Sequence, residues 1–293
     1  RGGKLYLEQR AADEKRRHKE RINAERKAAA LRAQADKLHA KATKAVAAQQ
    51  MARRAEKLLA GVEVERAVDK VAAIRFPDPA PCGKTPLTAR NLTKTYGSLE
   101  VFTGVDLNID RGSQVVVLGL NGAGKTTLLR ILAGKESPDT GEVIAGHGLK
   151  LGYFAQEHDL LDMDRTVLEN MASSATDLNE TEMRKVLGSF LFTGDDVHKP
   201  ARVLSGGEKT RLALATLVVS SANVLLLDEP TNNLDPASRA QVLDAIGNFG
   251  GAIVLVTHDE GAVHALDPDR VLVLPDGTED MWSADYAELI SLA

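Results

Sequence analysis

The chain has 293 residues, a formal net charge of -4 and 43% hydrophobic residues, so it can form one or two domains with a sizeable core. Its single cysteine, Cys82, excludes an intrachain disulfide and favours a reducing compartment, which predicts a cytoplasmic location. No uncharged apolar run reaches the roughly 18 residues that a membrane span needs, so the sequence predicts none.

Charge is distributed unevenly along the chain. Residues 1–75 hold 20 Lys and Arg against 10 Asp and Glu, a net charge of +10, whereas the remainder holds 17 against 31, a net charge of -14. This asymmetry indicates two domains, and the basic one favours a polyanionic partner such as RNA. The alternative is a solvated helix pair that only tethers two domains.

The basic segment has no Gly or Pro from Lys4 to Ala60 and is rich in Ala, Lys, Arg, Glu and Gln, which predicts helix. One straight helix of that length would span roughly 85 Å. We therefore predict a hairpin of two helices over residues 1–75, with the reversal near Asp36–Thr43. The proline-rich stretch 76–86, FPDPAPCGKTP, then predicts a connector between domains.

Strand and helix patterns alternate from Leu87 onward, which predicts an α/β domain over residues 87–293. Three of its segments are nearly continuously apolar, as are strands of a parallel sheet that is covered on both faces. They are QVVVLGL at 114–120, NVLLLDEP at 223–230 and AIVLVTHD at 252–259. Residues near 164–215 predict a helical insertion.

The segment GLNGAGKT, Gly119–Thr126, fits the phosphate-binding pattern G-x-x-x-x-G-K-[ST] between an apolar strand and a helix. Backbone N–H groups would surround the β-phosphate, Lys125 would reach the β- and γ-phosphates, and Thr126 would offer a hydroxyl to Mg²⁺. The residues predicted to bind the nucleotide here are Gly119, Asn121, Gly122, Ala123, Gly124, Lys125, Thr126 and Thr127.

Two carboxylates end the apolar segment VLLLDE. Asp228 is placed to hold the Mg²⁺ shell directly or through water, and Glu229 is placed to polarise an attacking water. Two solvated acids at a strand end are the alternative, which the presence of the phosphate loop in the same chain disfavours. A further helix start, LSGGEKTRLALA at 204–215, has free N–H groups that can receive a second anion.

These motifs, in this order over residues 87–275, resemble the nucleotide-binding domain of an ATP-binding cassette (ABC) protein. The resemblance implies that Tyr96 stacks on adenine, that Gln156 contacts Mg²⁺ and the attacking water, and that Asp235 couples two sites. His258 matches the switch histidine near the γ-phosphate. For Tyr96, the alternative is a tyrosine packed in the core.

In cassettes of this family, two domains face each other head to tail, and the signature turn of one closes on the γ-phosphate held by the other. The resemblance therefore implies that Ser205, Gly206, Gly207 and Glu208 complete the site of a second cassette, whereas Lys125 serves this one. It also implies a Mg²⁺-dependent ATPase with ATP as substrate, which hydrolyses ATP poorly when alone.

Finer details resemble the ABC-F group, which has two cassettes in one chain, no membrane domain, and acts on ribosomes. LSGGEKTRLALA and EPTNNLD resemble its signatures, and residues 40–54 resemble the second helix of its inter-cassette linker, which reaches toward the peptidyl-tRNA site. The opening KLYLEQR resembles the end of a first cassette, and with Arg1 in place of Met we expect an upstream segment. Asn233, where His is commoner, and THDEGAVHAL depart from the group's pattern.

The resemblance implies a translation factor or a protein of antibiotic ribosomal protection, with the basic hairpin on rRNA or tRNA. Three alternatives stay open: the ATPase subunit of an ABC exporter such as a drug or macrolide transporter, a DNA-maintenance ATPase with coiled coils, and a structural tether. Exporter subunits rarely begin with a long basic hairpin. DNA-maintenance ATPases insert their coil between phosphate loop and signature, an interval of only about 80 residues here.

Overall fold

The computed structural model describes residues 9–19, 22, 77–119, 122–155, 159–175 and 177–291. Contacts divide the chain into two units, Arg1–Ala73 and Ile74–Ala293. In the first unit, residues 9–19 are helical and mostly exposed, in agreement with the helix predicted there. The rest of the predicted hairpin, including its reversal, lies outside the described residues.

The described residues of the second unit form two β-sheets. Its strands are β1 (Leu87–Tyr96), β2 (Leu99–Ile109), β3 (Gln114–Gly119), β4 (Thr140–Ala145), β5 (Leu151–Phe154), β6 (Val224–Asp228), β7 (Ala252–Val256), β8 (Arg270–Leu274) and β9 (Thr278–Met281). The smaller sheet has the order β2-β1-β4 and is antiparallel, and the larger has the order β5-β6-β7-β3-β8-β9. Pairs in the larger sheet are parallel except for β8 with β9.

Helices of the second unit connect and cover these strands. They are α1 (Gly122–Leu132), α2 (Val167–Ser174), α3 (Glu180–Ser189), α4 (Gly206–Val219), α5 (Pro236–Asn248), α6 (Glu260–Leu266) and α7 (Ala287–Ser291). Five of those described begin after a side chain that accepts a backbone N–H of the first turn, as N-cap residues do: Thr166, Asn179, Ser205, Asp235 and Asp259. Helices α2 and α3 lie within the region predicted as the helical insertion.

The larger sheet has an apolar core on each face. Along β3, Val116 and Leu118 belong to one cluster, which includes apolar residues of α2 to α7. Val115 and Val117 belong to the other, which includes α1 and the antiparallel strands. Because successive side chains of a strand point to opposite faces, a continuous apolar run is what a doubly covered strand requires. The predicted α/β architecture is thereby confirmed.

Strand register brings three loops to one edge of this sheet. Asp228 at the end of β6 pairs with Val256 at the end of β7, and Val256 pairs with Val117 of β3. The strands are parallel, so the segments that follow β3, β6 and β7 leave the sheet at the same carboxyl-terminal edge. Ligands of open α/β sheets bind at such edges. Among the described residues, no helix is long and apolar enough to cross a membrane.

Asn223, just before β6, ties three segments together at the opposite edge. Its Oδ1 accepts the N–H of Lys150 at 2.8 Å, and its Nδ2 donates to the carbonyls of Ala80 at 3.0 Å and Gly148 at 2.8 Å. The side chain is buried. Ala80 belongs to the proline-rich stretch, so this part of the stretch is held against the start of β6 within the second unit.

We expect Asn223→Ala to lower the free energy of unfolding by about 3 kcal/mol, because it removes three hydrogen bonds that a buried amide makes to the backbone. Urea unfolding followed by circular dichroism measures the effect. The matched control is Asn108→Ala, at an exposed position of β2, which should change stability by less than about 0.5 kcal/mol. Equal effects of the two substitutions would contradict the role given to Asn223.

Candidate nucleotide and catalytic site

Lys125, in the first turn of α1, is buried with 1% of its surface exposed. Its Nζ donates a hydrogen bond of 3.0 Å to the carbonyl of Gly119, at the end of β3. Burial lowers the pKa of Lys125, while the charges of Glu229 and Asp228 raise it. The ammonium group therefore lies at the end of β3 and close to two carboxylates, where a phosphate oxygen could replace the carbonyl as its acceptor.

Asp228 is buried at the end of β6, with 7% of its surface exposed. Burial raises the pKa of its carboxyl group, as does the charge of Glu229, while a hydrogen bond from Thr126 and the charge of Lys125 lower it. A carboxylate in this position is not the solvated acid that the alternative required. Thr126 and Asp228 are thus in direct contact, as the prediction of a shared cation site requires.

Glu229 and His258 contact each other across two neighbouring strand ends. The His258 Nδ1 lies 2.9 Å from Glu229 Oε1, and the His258 N–H lies 3.4 Å from Oε2. An ionised carboxylate only accepts hydrogen bonds, so the ring donates from Nδ1 and Nε2 is left for another partner. Glu229 also has a φ of 49°, a left-handed conformation that is uncommon outside glycine and that concentrates at functional sites.

Tyr96 lies at the end of β1 and is 47% exposed, so the alternative of a packed core tyrosine is wrong. Its hydroxyl bonds to Glu136, and the Lys94 ammonium lies 5.3 Å from the centre of its ring. The hydrogen bond from Tyr96 is the main reason why the pKa of Glu136 is lowered, and a hydrogen bond from Arg130 and the charges of Lys94 and Arg130 lower it further. The ring is thus accessible for stacking, and its role toward adenine stays a prediction.

The signature turn, residues Ser205–Glu208, opens α4. The Ser205 Oγ accepts the N–H of Glu208 at 3.2 Å, and the Glu208 Oε1 accepts the N–H of Ser205 at 3.1 Å. This reciprocal pair is a capping box. Ser205 and Gly206 are exposed, so the start of α4 is accessible to a partner molecule.

The two glycines of the signature turn have different surroundings. A Cβ on Gly206 would meet nothing within 4 Å, whereas a Cβ on Gly207 would lie 2.6 Å from the Asp235 Oδ1 and 2.8 Å from the Ser238 Oγ. Asp235 is the N-cap of α5, and its Oδ2 accepts the N–H of Ser238 at 3.2 Å. Gly207 is therefore required for the close packing of the signature turn on the first turn of α5.

An open cavity lies between the carboxyl-terminal sheet edge and α4. Its lining includes Thr126, Asp228 and Glu229 from one side and Gly206 from the other. Tyr153 of β5 also lines it, and its buried hydroxyl has no hydrogen-bond partner in the part of the chain that the structure describes. Burial, followed by the charge of Asp228, raises the pKa of Tyr153. Sequence reasoning missed this residue.

Residues of the site fit a Mg²⁺ ion that is held mainly by phosphates. A hydroxyl and a carboxylate, those of Thr126 and Asp228, meet in the buried part of the site, and Mg²⁺ prefers such oxygen ligands. Within the described residues, no group of three or more His, Cys, Asp or Glu could form a protein-only metal site. Mg²⁺ commonly uses one or two protein oxygens together with substrate phosphates.

Other predicted site residues are placed only in part. Asn121 and Gln156 lie outside the described residues, and α1 begins at Gly122, the residue before Ala123. A Cβ on Gly124 would lie 3.2 Å from the Val101 side chain of β2, and Thr127 is buried.

A cluster around Asp259, next to His258, is a second feature that sequence reasoning missed. Arg239 donates two hydrogen bonds to this carboxylate, at 2.9 and 2.8 Å, and the Thr231 hydroxyl donates a third at 2.9 Å. The Arg239 hydrogen bond is the main reason why the pKa of Asp259 falls to about 2. The signal in the sequence was the acid directly after His258 in VTHDE.

Comparisons with known proteins agree with this geometry. A family model described as "ABC transporter" matches residues 102–232. The chain is 36% identical over 215 residues to ABC transporter F family member 5 of Arabidopsis thaliana. This alignment covers 73% of this chain and 31% of that protein. The chain is 38% identical over 244 residues to the probable ATP-binding protein YheS of Escherichia coli K12, covering 83% and 38%.

Two further comparisons extend the match. The probable ATP-binding protein YbiT of Escherichia coli O157:H7 is 34% identical over 272 residues, covering 92% of this chain and 51% of that protein. A solved structure, described as a dimeric post-hydrolysis state of the ATP-binding cassette MJ0796 bound to ADP and Pi, is 26% identical with a TM-score of 0.56. It covers 68% of this chain and 99% of that one.

The sheet edge with its phosphate loop, paired carboxylates and signature turn defines an ATP-binding cassette of the ABC ATPase class. Within that class, the chain belongs with the ABC-F proteins, as its similarity to members of that group shows. It spans about a third to a half of the length of the curated relatives described above.

We expect Gly207→Ala to lower the free energy of unfolding by about 1–3 kcal/mol, because the new methyl group displaces Asp235 and the buried Ser238. Gly206→Ala is the matched control and should change it by less than about 0.5 kcal/mol, since the position is open and helical. Urea unfolding measures both. A Gly206→Ala variant that is as destabilised as Gly207→Ala would contradict the packing described.

Proposed function

We propose that this chain is an ATP-hydrolysing cassette of an ABC-F protein that acts on the ribosome. One observation carries the ATPase part: Lys125, Asp228 and the pair Glu229–His258 lie at one sheet edge, although they come from three distant segments. A cation for phosphates, a carboxylate for a metal and a carboxylate for water are the groups that phosphoryl transfer to water requires.

In the proposed reaction, a water oxygen bonds to the γ-phosphorus of ATP while the bond to the β-γ bridging oxygen breaks, giving ADP and phosphate. Lys125 binds the β- and γ-phosphates. Glu229 accepts a hydrogen bond from the water and orients it, and His258 holds the Glu229 carboxylate through Nδ1. Nε2 of the ring, when protonated, can donate to a γ-phosphate oxygen.

Thr126 and Asp228 would hold Mg²⁺, together with Gln156, whose role rests on the family resemblance. When bound, the ion neutralises the phosphate charge that develops during transfer. Asp228 is suited to this position because a buried carboxylate with a raised pKa gains a compensating charge from the cation. Tyr96 is proposed to stack on the adenine ring.

The signature turn is proposed to serve a second cassette. The solved relative MJ0796 is described as dimeric, and the start of α4 in this chain is exposed. Ser205 and the N–H groups of Gly206 and Gly207 can therefore close on a phosphate held elsewhere. The partner is proposed to be an upstream cassette of the same protein or a second copy of this chain.

The ribosome part of the proposal rests on charge and on family. Residues 1–75 carry a net charge of +10, and residues 40–54 resemble the ABC-F linker. Phosphates of rRNA or tRNA are the proposed partners of this segment, since clustered Lys and Arg bind nucleic acid by releasing counterions. A cytoplasmic location and a role in translation or in antibiotic ribosomal protection follow from this proposal.

Glu229→Gln should bind ATP but hydrolyse it at least about 100-fold more slowly, because the amide keeps the shape but cannot polarise water as a carboxylate does. With hydrolysis blocked, two cassettes should stay closed on ATP, which light scattering detects as an ATP-dependent dimer. Adding Ser205→Arg should abolish the dimer and leave ATP binding intact. Lys125→Ala should abolish ATP binding itself.

A Glu229→Gln chain that hydrolyses ATP at the parent rate would contradict the catalytic role proposed for Glu229. A Glu229→Gln chain that binds ATP but stays monomeric would indicate that an upstream cassette, and not a second copy of this chain, is the partner. Loss of ATP binding by the Ser205→Arg monomer would contradict the separation of the two half-sites.

Replacing Lys37, Lys41 and Lys44 with Glu should weaken association with ribosomes and reduce the steepness of its salt dependence, because phosphate contacts are lost. Co-sedimentation of the Glu229→Gln chain with ribosomes in ATP, across a salt series, measures this. The matched control replaces three exposed lysines of the cassette, Lys135, Lys150 and Lys185, and changes the charge equally. Equal loss in both variants would indicate a general charge effect, and no loss in either would favour a tether.

A further inference from the structure

Asp259 holds together three segments around the proposed catalytic pair. It follows His258 directly, and its carboxylate accepts hydrogen bonds from Thr231, which lies two residues after Glu229, and from Arg239 of α5. It also accepts the N–H of Gly261 at 2.8 Å and thereby caps α6. The segment that carries His258 is therefore fixed to both the Glu229 loop and α5.

Arg239 and Asp259 form an ion pair with two hydrogen bonds, and this pair depends on the absence of a side chain at Gly261. A Cβ on Gly261 would overlap the Nη2 of Arg239. The guanidinium thus occupies the space above the first turn of α6 and meets the carboxylate with two parallel N–H groups, a geometry that lysine cannot reproduce. Its strength is reflected in the pKa of Asp259, which falls to about 2.

The same helix that carries Arg239 begins against the signature turn. Asp235, the N-cap of α5, packs closely against Gly207. A Cβ added to Gly207 would lie only 2.6 Å from the Oδ1 of Asp235. Arg239 comes one helical turn later, and its N–H bonds to the Asp235 carbonyl at 2.9 Å. One turn of α5 thus touches the signature turn at its start and the His258 segment at its end.

We propose that Arg239 is a positioning residue for ATP hydrolysis: it clamps Asp259 to α5, holds the His258 ring against Glu229, and transmits displacements of the signature turn to that ring. The inference rests on the proposed function, because it assigns a control element to the same site. Arg239 contacts neither substrate nor the reacting atoms and acts only through Asp259 and His258.

A purely structural ion pair would stabilise the fold without any special effect on the His258 ring. The chain offers a matched comparison, Arg270 of β8, which pairs with Glu279 of β9 and donates to the Ser113 hydroxyl at 3.2 Å. This pair also joins two elements and is partly buried. The Arg239 pair lies next to His258, whereas the Arg270 pair connects β8 with β9.

The experiment compares Arg239→Gln, Arg239→Lys and Arg270→Gln in the 293-residue chain. Nitrogen NMR signals of the histidine rings, with His258 assigned through His258→Asn, report the bond to Glu229 without any need for turnover. In parallel, kcat and KM for ATP and the melting temperature are measured. We expect Arg239→Gln to shift the His258 signals and to lower kcat about tenfold with KM within about twofold.

Arg239→Lys should restore kcat only in part, and Arg270→Gln should leave the His258 signals and kcat unchanged. Gly207→Ala should shift the His258 signals in the parent chain but much less in the Arg239→Gln background, because the clamp is then missing. Unshifted His258 signals in Arg239→Gln would overturn the inference, as would equal shifts in the Arg270→Gln control or equal responses to Gly207→Ala in both backgrounds.

The two proposals fail in distinguishable ways. A parent chain that binds no ATP and does not hydrolyse it, alone or with a partner cassette, contradicts the proposed function, while the NMR comparison still decides the positioning by Arg239. A parent chain that hydrolyses ATP, together with an Arg239→Gln variant of unchanged kcat and unchanged His258 signals, contradicts the inference alone.

Discussion

The in-register pairing of β6, β7 and β3 is the constraint on which the site depends. Asp228, Val256 and Val117 lie side by side, so the chain leaves all three strands at the same edge. A shift of β6 by one residue would turn Asp228 to the other face and remove it from Thr126. The continuous apolar runs of these strands, buried on both faces, thus fix the position of polar groups that follow them.

Buried charge at this edge is balanced locally rather than by solvent. Lys125 and Asp228 are each almost fully buried, and each is affected by the charge of the other. An unpaired buried charge is costly, so removal of one group leaves the other uncompensated. The arrangement suits a ligand that brings anionic phosphates and a cation together, because such a ligand adds a partner for each buried group at once.

Sequence reasoning reached the phosphate loop and the two carboxylates because each stands directly after an apolar strand, a local pattern. His258 was reached only through family resemblance, and its bond to Glu229 required coordinates. The clamp between Arg239 and Asp259 joins positions 20 residues apart without any shared period. A side chain fits at Gly206 but not at Gly207, and this difference likewise arises from contacts with the neighbouring helix α5, not from the sequence of the turn. Local chemistry was therefore predictable, whereas contacts between segments were not.

The acidic cassette must bind a polyphosphate although the chain beyond residue 75 has a net charge of -14. At physiological ionic strength, surface charges are screened beyond about 8 Å, so the distant acids matter little in the site. Close to the phosphates, Lys125 and the backbone N–H groups at the start of α1 supply the attraction, and Mg²⁺ would offset the nearby carboxylates of Asp228 and Glu229. A nucleic acid contacts a wider surface than a nucleotide does, so the net negative charge of this part of the chain would oppose its binding. Under the proposal made above, binding of a polyanion of that size falls to residues 1–75, whose net charge is +10, so that the two kinds of phosphate ligand are bound by different parts of the chain.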